Sequence, residues 1–162
     1  MDIHEIMAVC AQYPAVTLDF PFCPAPACYR LGGRIFAEVY PVGVRGALRI
    51  LLQDDRISRE AMIPMITLRC EPAYGDFFRQ QYPGVVLRPY HYPPRQQSYG
   101  NTVFVDGRVD EPAIRAMIGH AYSYVLGKLP KRTQADILNC SKEYHPQESP
   151  GGNFQAMGLL KS

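Results

Sequence analysis

Between Phe77 and Val105 the chain carries no aspartate or glutamate, yet it sets Arg79, Arg88, His91 and Arg95 among Tyr82, Tyr90, Tyr92 and Tyr99. Arginine makes bidentate contacts to phosphate, and tyrosine stacks on bases or lines a groove. The alternation therefore has the chemistry of a nucleic-acid contact surface. Lys128, Lys131 and Arg132 add a second basic group, although cations at a helix end also complement the helix dipole with no ligand required. With only 15 acidic residues in the chain, an ordinary solvated surface is the simpler reading of these residues by themselves.

No other set of reactive residues stands out. The chain has no phosphate-binding loop, dinucleotide-binding glycine pattern, zinc-protease helix or serine elbow. Cys23 and Cys28 flank a segment with two prolines, and no second cysteine or histidine pair follows at zinc spacing. Reduced thiols without bound metal are expected. His120 has no partner that would make it a general base and reads as a histidine packed at a helix edge. His91 and His145 sit in loop-like sequence, and Ser123 and Cys70 lack a base. Neither a cofactor nor an enzymatic activity is expected.

At 162 residues, 47% of them apolar, the chain suits one domain with a sizeable core. Its 15 prolines, against a usual share of about 5%, predict short elements joined by ordered loops. The net charge of +2 is too small to imply nucleic-acid binding alone. The opening MDIHEIMAVCA carries acids where an export signal would be basic, and no apolar run reaches the length of a membrane span. Five scattered cysteines agree with a reducing compartment. A cytoplasmic protein with no membrane contact is expected.

The elements that must position these residues follow from periodicity. Asp2 and Glu5 form a capping box ahead of the stripe Ile3, Ile6, Met7, Cys10 and Tyr13. After a proline-rich connector, Cys28–Leu31, Gly32-Gly33 and Arg34–Tyr40 predict a hairpin whose second strand alternates in burial. Ala47–Leu52 fits either a strand or a turn of helix. Strands are expected at Met65–Cys70, Val85–Tyr90 and Thr102–Asp106, and a helix from Pro72 to about Tyr82. His91–Gly100 reads as a loop. Asp110 is placed to cap a long helix whose face is Ile114, Met117, Ile118, Ala121, Tyr122, Val125, Leu126 and Leu129, ended by Pro130. A single domain over residues 1–132 is expected, with 133–162 a loosely attached tail holding one helical turn near Ala135–Cys140. The order of elements predicts an α+β fold with a mainly antiparallel sheet.

Several short motifs, in order, resemble the MmcQ/YjbR family of small bacterial proteins. They are Asp19-Phe20-Pro21-Phe22, Leu31-Gly32-Gly33-Arg34-Ile35-Phe36-Ala37, Leu68-Arg69-Cys70-Glu71-Pro72, Tyr90-His91, Asn101-Thr102-Val103, His120-Ala121-Tyr122 and Lys128-Leu129-Pro130-Lys131. Gly100 stands where that family usually has tryptophan, Ala121 replaces a serine, Pro93-Pro94 stiffens a loop that is often basic, and Tyr40–Met65 is longer than usual. The resemblance implies a frataxin-like fold, with a curved sheet and helices on one side. It also implies DNA binding through hairpin wings of a double-wing type. The candidate nucleic-acid-binding residues are then Arg34, Arg69, Arg88, Tyr90, His91, Arg95, Tyr99, Asn101, Lys131 and Arg132. A protein-interaction domain is the alternative, since exposed tyrosine and arginine also build protein interfaces. A small-ligand enzyme ranks third for want of a catalytic set.

Overall fold

Gly32 and Gly33 both adopt positive φ, 57° and 81°. That backbone reverses the chain between β2 (Ala27–Leu31) and β3 (Arg34–Tyr40) with the twist a hairpin needs. The structure, a computed structural model, describes residues 1–143. Around this hairpin lie β1 (Thr17–Asp19), β4 (Met65–Arg69), β5 (Val86–Leu87) and β6 (Gly100–Phe104). The spatial order is β1-β2-β3-β4-β6-β5, with every neighbouring pair antiparallel.

Helices α1 (Ile3–Gln12), α3 (Pro72–Gln81) and α4 (Glu111–Lys128) pack on the sheet: α4 across β2, β3 and β4, α1 against α4 and β3, and α3 against β5 and β6. The α1 capping box is present, with Asp2 Oδ1 accepting from the Glu5 N–H at 2.8 Å and Glu5 Oε2 accepting from the Asp2 N–H at 3.0 Å. All eight apolar residues expected on the α4 face are buried. Asp110 precedes the helix but does not cap it with its side chain; its carboxylate accepts from the Tyr82 hydroxyl instead.

The β2–β3 pairing steps from Tyr29–Ala37 to Arg30–Ile35, leaving Phe36 as an extra residue. This bulge breaks the plain alternation expected along β3, because a bulged residue is re-aimed. The Phe36 ring lies edge-on to Tyr122, with centroids 5.7 Å apart.

Other boundaries differ from expectation for local reasons. Val85–Tyr90 contributes only Val86–Leu87 to the sheet, since Pro89 has no N–H to donate to a ladder. Ala47–Leu52 is the short helix α2, burying Ala47, Leu48 and Leu51, and it occupies part of the long Tyr40–Met65 segment. Strand β1 has three exposed residues and so no burial pattern to betray it. Beyond residue 132 the chain forms α5 (Lys131–Glu143), longer than the single turn expected, and Ile137 is buried in the core. The rest of the expected tail, with His145, lies outside the described residues. Among the described residues no helix is long and apolar enough to cross a membrane.

Ile118, with no exposed surface, lies at the centre of the α4 face. Ile118→Ala should cost about 2–5 kcal/mol. Urea unfolding checks this, and a loss below about 0.5 kcal/mol, typical of a surface site, would contradict the packing.

Candidate nucleic-acid interface

An open cleft of about 540 Å³ is lined by Arg30, Arg34, Ile35, Arg69, Gln96, Tyr99, Tyr124, Val125 and Lys128, with no carboxylate among them. Five pieces of structure converge there: the two strands of the β2–β3 hairpin, the end of β4, the 3-10 helix Pro94–Tyr99, and the last turns of α4. The hairpin tip is held against the end of α4, because Gly32 leaves room for Leu129. A Cβ at residue 32 would come within 2.8 Å of Leu129 Cδ2. Arg30 is partly neutralised by Asp19 at 3.0 Å and also donates to the Gly33 carbonyl at 3.1 Å. Arg34, Arg69 and Lys128 have no carboxylate at ion-pair distance among the described residues. Such unpaired cations beside exposed tyrosine can contact phosphate and a planar group together.

The loop from Arg88 to Tyr99 is fixed by its own contacts. Glu38, Thr67 and Thr102 are cross-strand partners and so share one face of the sheet. Over this face His91 Nε2 lies 3.2 Å from Glu38 Oε2, which also accepts from the Tyr40 hydroxyl at 3.1 Å. Next to it the buried Tyr92 ring covers Gly100, where a Cβ would meet Tyr92 Cε2 at 2.6 Å and Pro89 Cγ at 2.9 Å. The Arg69 guanidinium carbon sits 4.3 Å from the centroid of the same ring. Tyr92 thus supplies from the loop a large ring over a strand position that has no side chain of its own. The loop therefore covers part of this face of the sheet.

Asn101 points to the other face. It is buried, accepts from Arg79 Nη1 at 2.6 Å and donates to the Gly75 carbonyl at 3.2 Å. Its amide is committed to tying α3 to β6. The same Arg79 nitrogen donates to the Gly100 carbonyl at 3.2 Å, and burial draws this guanidinium below its ordinary pKa.

The expected residues therefore separate. Arg34, Arg69 and Tyr99 meet in the cleft. Arg88 and Tyr90 line a different cavity of about 630 Å³, whose walls also hold Asp76 and the apolar Ile50, Leu51 and Val86. This second space is the larger, but its mixed charge suits phosphate less well. Arg95 is exposed in the 3-10 helix, His91 is tied to Glu38, and Lys131 and Arg132 are exposed on the first turn of α5. Sequence reasoning left Arg30, Gln96 and Tyr124 off the surface. Tyr124 lies one turn after His120, and Arg30 and Arg34 flank the Gly-Gly turn; these spacings were the available signals.

His120 is packed at the helix edge, as its sequence suggests. Its ring stacks on Tyr74 with centroids 3.6 Å apart and planes within 5°. The Glu71 N–H donates to its Nε2 at 3.1 Å, so that nitrogen must be unprotonated. Burial lowers the His120 pKa from its ordinary 6.5, and the nearby Glu71 carboxylate opposes this. Burial also pushes the thiols of Cys28 and Cys70 up to about 11, which leaves them protonated and poorly nucleophilic at neutral pH. Cys10, Cys23, Cys28 and Cys70 are free, Cys23 alone of these being exposed. Among the described residues no group of three or more histidine, cysteine, aspartate or glutamate side chains is arranged to hold a metal ion.

A family model described as YjbR matches residues 11–124. Among solved structures, the chain is similar to the Deinococcus radiodurans protein DR2400, of domain family DUF419, with a TM-score of 0.66 and 20% identity over 94% of each chain. It is also similar to a Pseudomonas syringae protein, with a TM-score of 0.59 and 15% identity over 75% of this chain and 96% of that one. No curated protein matches.

Two measurements check this geometry. Gly100→Ala should destabilise the fold by about 1–3 kcal/mol through overpacking, because the atoms it meets belong to rigid rings; a neutral result in urea would displace Tyr92 from Gly100. A depressed histidine pKa stabilises the fold above its unfolded value of 6.5 and loses that contribution as pH falls below it. Between pH 8 and 5.5 the wild type should therefore lose more stability than His120→Gln. Equal losses would place His120 in water.

Proposed function

Because the chain belongs to the YjbR family, we propose that it is a non-enzymatic DNA-binding protein acting in the cytoplasm, with the carboxylate-free cleft between the hairpin tip and the end of α4 as its contact surface. The observation that supports this reading is the convergence of Arg34, Arg69 and Lys128, none paired with an acid among the described residues, on one open cleft with two tyrosines. Phosphate contact by these cations would release counterions from DNA and make affinity depend on salt. The exposed Lys131 and Arg132 follow directly on the same end of α4 and extend the basic surface. The expected site thus moves from the centre of the Arg88–Tyr99 loop to its end, where Tyr99 meets Arg69.

A second reading rests on one observation. Leu18, Phe20 and Phe22 are 46%, 47% and 70% exposed on and just after the edge strand β1. An edge strand beside exposed apolar side chains suits contact with another protein.

Non-specific affinity for duplex DNA should fall near 10⁻⁴–10⁻⁶ M at physiological salt, roughly the usual range. For about three to five phosphate contacts, log K should fall with log salt at a slope of roughly −2.7 to −4.5. Arg34→Ala combined with Arg69→Ala should reduce the slope by about two. Absence of salt-dependent binding at low ionic strength would sink the reading and leave the β1 surface as the better candidate.

A further inference from the structure

The cleft cations leave a row of aromatic rings unexplained. Tyr74 stacks on His120, His120 lies 6.4 Å and 20° from Tyr124, and Tyr124 lies 6.5 Å and 35° from Tyr99. The row runs from α3 across α4 into the cleft. None of its rings is buried in the core, and Tyr99, at the cleft end, is 40% exposed. Lys128 Nζ stands 5.3 Å from the Tyr124 ring centroid, so a cation and an aromatic face occupy the same spot. Glu71 adjoins His120 through its N–H, 3.1 Å from Nε2, and at Tyr124 the Arg69 cation outweighs it. Arg34, Arg69 and Lys128 therefore draw a phosphate chain to the cleft end of the row.

A duplex hides the faces of its bases inside its own stack, whereas an unpaired base can offer its face to a protein ring. We propose that the cleft takes single-stranded DNA, with unpaired bases stacking on Tyr99 and Tyr124 while Arg34, Arg69 and Lys128 hold the adjoining phosphates. This rests on the DNA-binding reading above and adds the strand form to it. Tyr99 supplies the outermost platform, and its exposure lets it be changed without disturbing the core.

The test is fluorescence anisotropy of the full chain at low salt with three labelled probes of equal length: an oligothymidylate, an abasic deoxyribose-phosphate strand and a duplex. The thymidylate should bind about fivefold or more tighter than the abasic strand, the lower end of what one stacked base contributes. Tyr99→Ala should remove about that factor for the thymidylate and cost the abasic strand and the duplex clearly less, while Tyr99→Phe retains it. Equal affinity for thymidylate and abasic strand, or a Tyr99→Ala effect common to all three probes, overturns base stacking and leaves phosphate binding standing. No binding of any probe overturns both.

Discussion

The packing of Tyr122 between α1 and β3 is the constraint on which the rest depends. Its ring has no exposed surface and lies 4.7 Å from the Tyr13 centroid and 5.7 Å from that of Phe36. Its hydroxyl donates to the Pro14 carbonyl at 2.8 Å. One side chain thus joins the end of the first helix, the bulge of β3 and the long helix α4. A buried tyrosine needs a partner for its hydroxyl, and the carbonyl it finds belongs to the turn that leads from α1 to the sheet. With the roll of α4 set in this way, Tyr124 and Lys128 must emerge at the helix end that faces the hairpin tip. The contact between Leu129 and Gly32 closes that end. The cleft is a consequence of how α4 is seated.

A second constraint acts from the opposite face of the sheet. Gly100 leaves a gap in β6 that Tyr92 fills, and Arg69 stacks on the same ring. The loop is therefore part of the core packing rather than a free wing. Its clamp by His91 on Glu38 and by Tyr92 on Gly100 delivers Tyr99 to the cleft in a fixed place, where the Tyr99 carbonyl accepts from the Cys70 N–H at 3.0 Å. A loop so held orders little on binding, which lowers the entropic cost of contact.

The parts of the fold legible in the sequence were those with strong local signals. The α4 face repeats at helical spacing over about four turns, and the α1 cap and the Gly-Gly hairpin carry their own chemistry. The cleft was legible only in part. Arg34, Arg69 and Tyr99 stood among the candidates, but their union depends on which strands pair and in what register. A one-residue slip turns a side chain to the other face, and the bulge at Phe36 introduces such a slip in the hairpin. Asn101 shows the opposite failure. The family resemblance placed it among the candidate contacts, whereas the register turns it inward to meet Arg79 and Gly75. Buried polar groups are normally bonded, so a polar residue in a central strand serves the fold as readily as a partner.

Charge shows why composition was a poor guide to the surface. Arg30, Arg45, Arg49, Arg56, Arg79, Arg108 and Arg115 all lie within ion-pair distance of a carboxylate. Most of these pairs are exposed, and such pairs add little to stability, but they cancel the arginine's field where they stand. What is left uncancelled among the described residues includes Arg34 and Arg69 in the cleft, Lys128 beside them, and Arg95 in the adjoining 3-10 helix. A net charge of +2 is compatible with a strong local positive potential when neutralised pairs occupy the rest of the surface. The potential a phosphate meets is set by the unpaired charges within about one Debye length, about 8–10 Å at ordinary ionic strengths. Over that range the cleft presents the cations Arg34, Arg69 and Lys128 and two tyrosine rings. Asp19 is already engaged by Arg30, and the effect of Glu71 at Tyr124 is outweighed by Arg69. The cleft's electrostatic character therefore comes from where the acids are spent rather than from how many bases the chain contains.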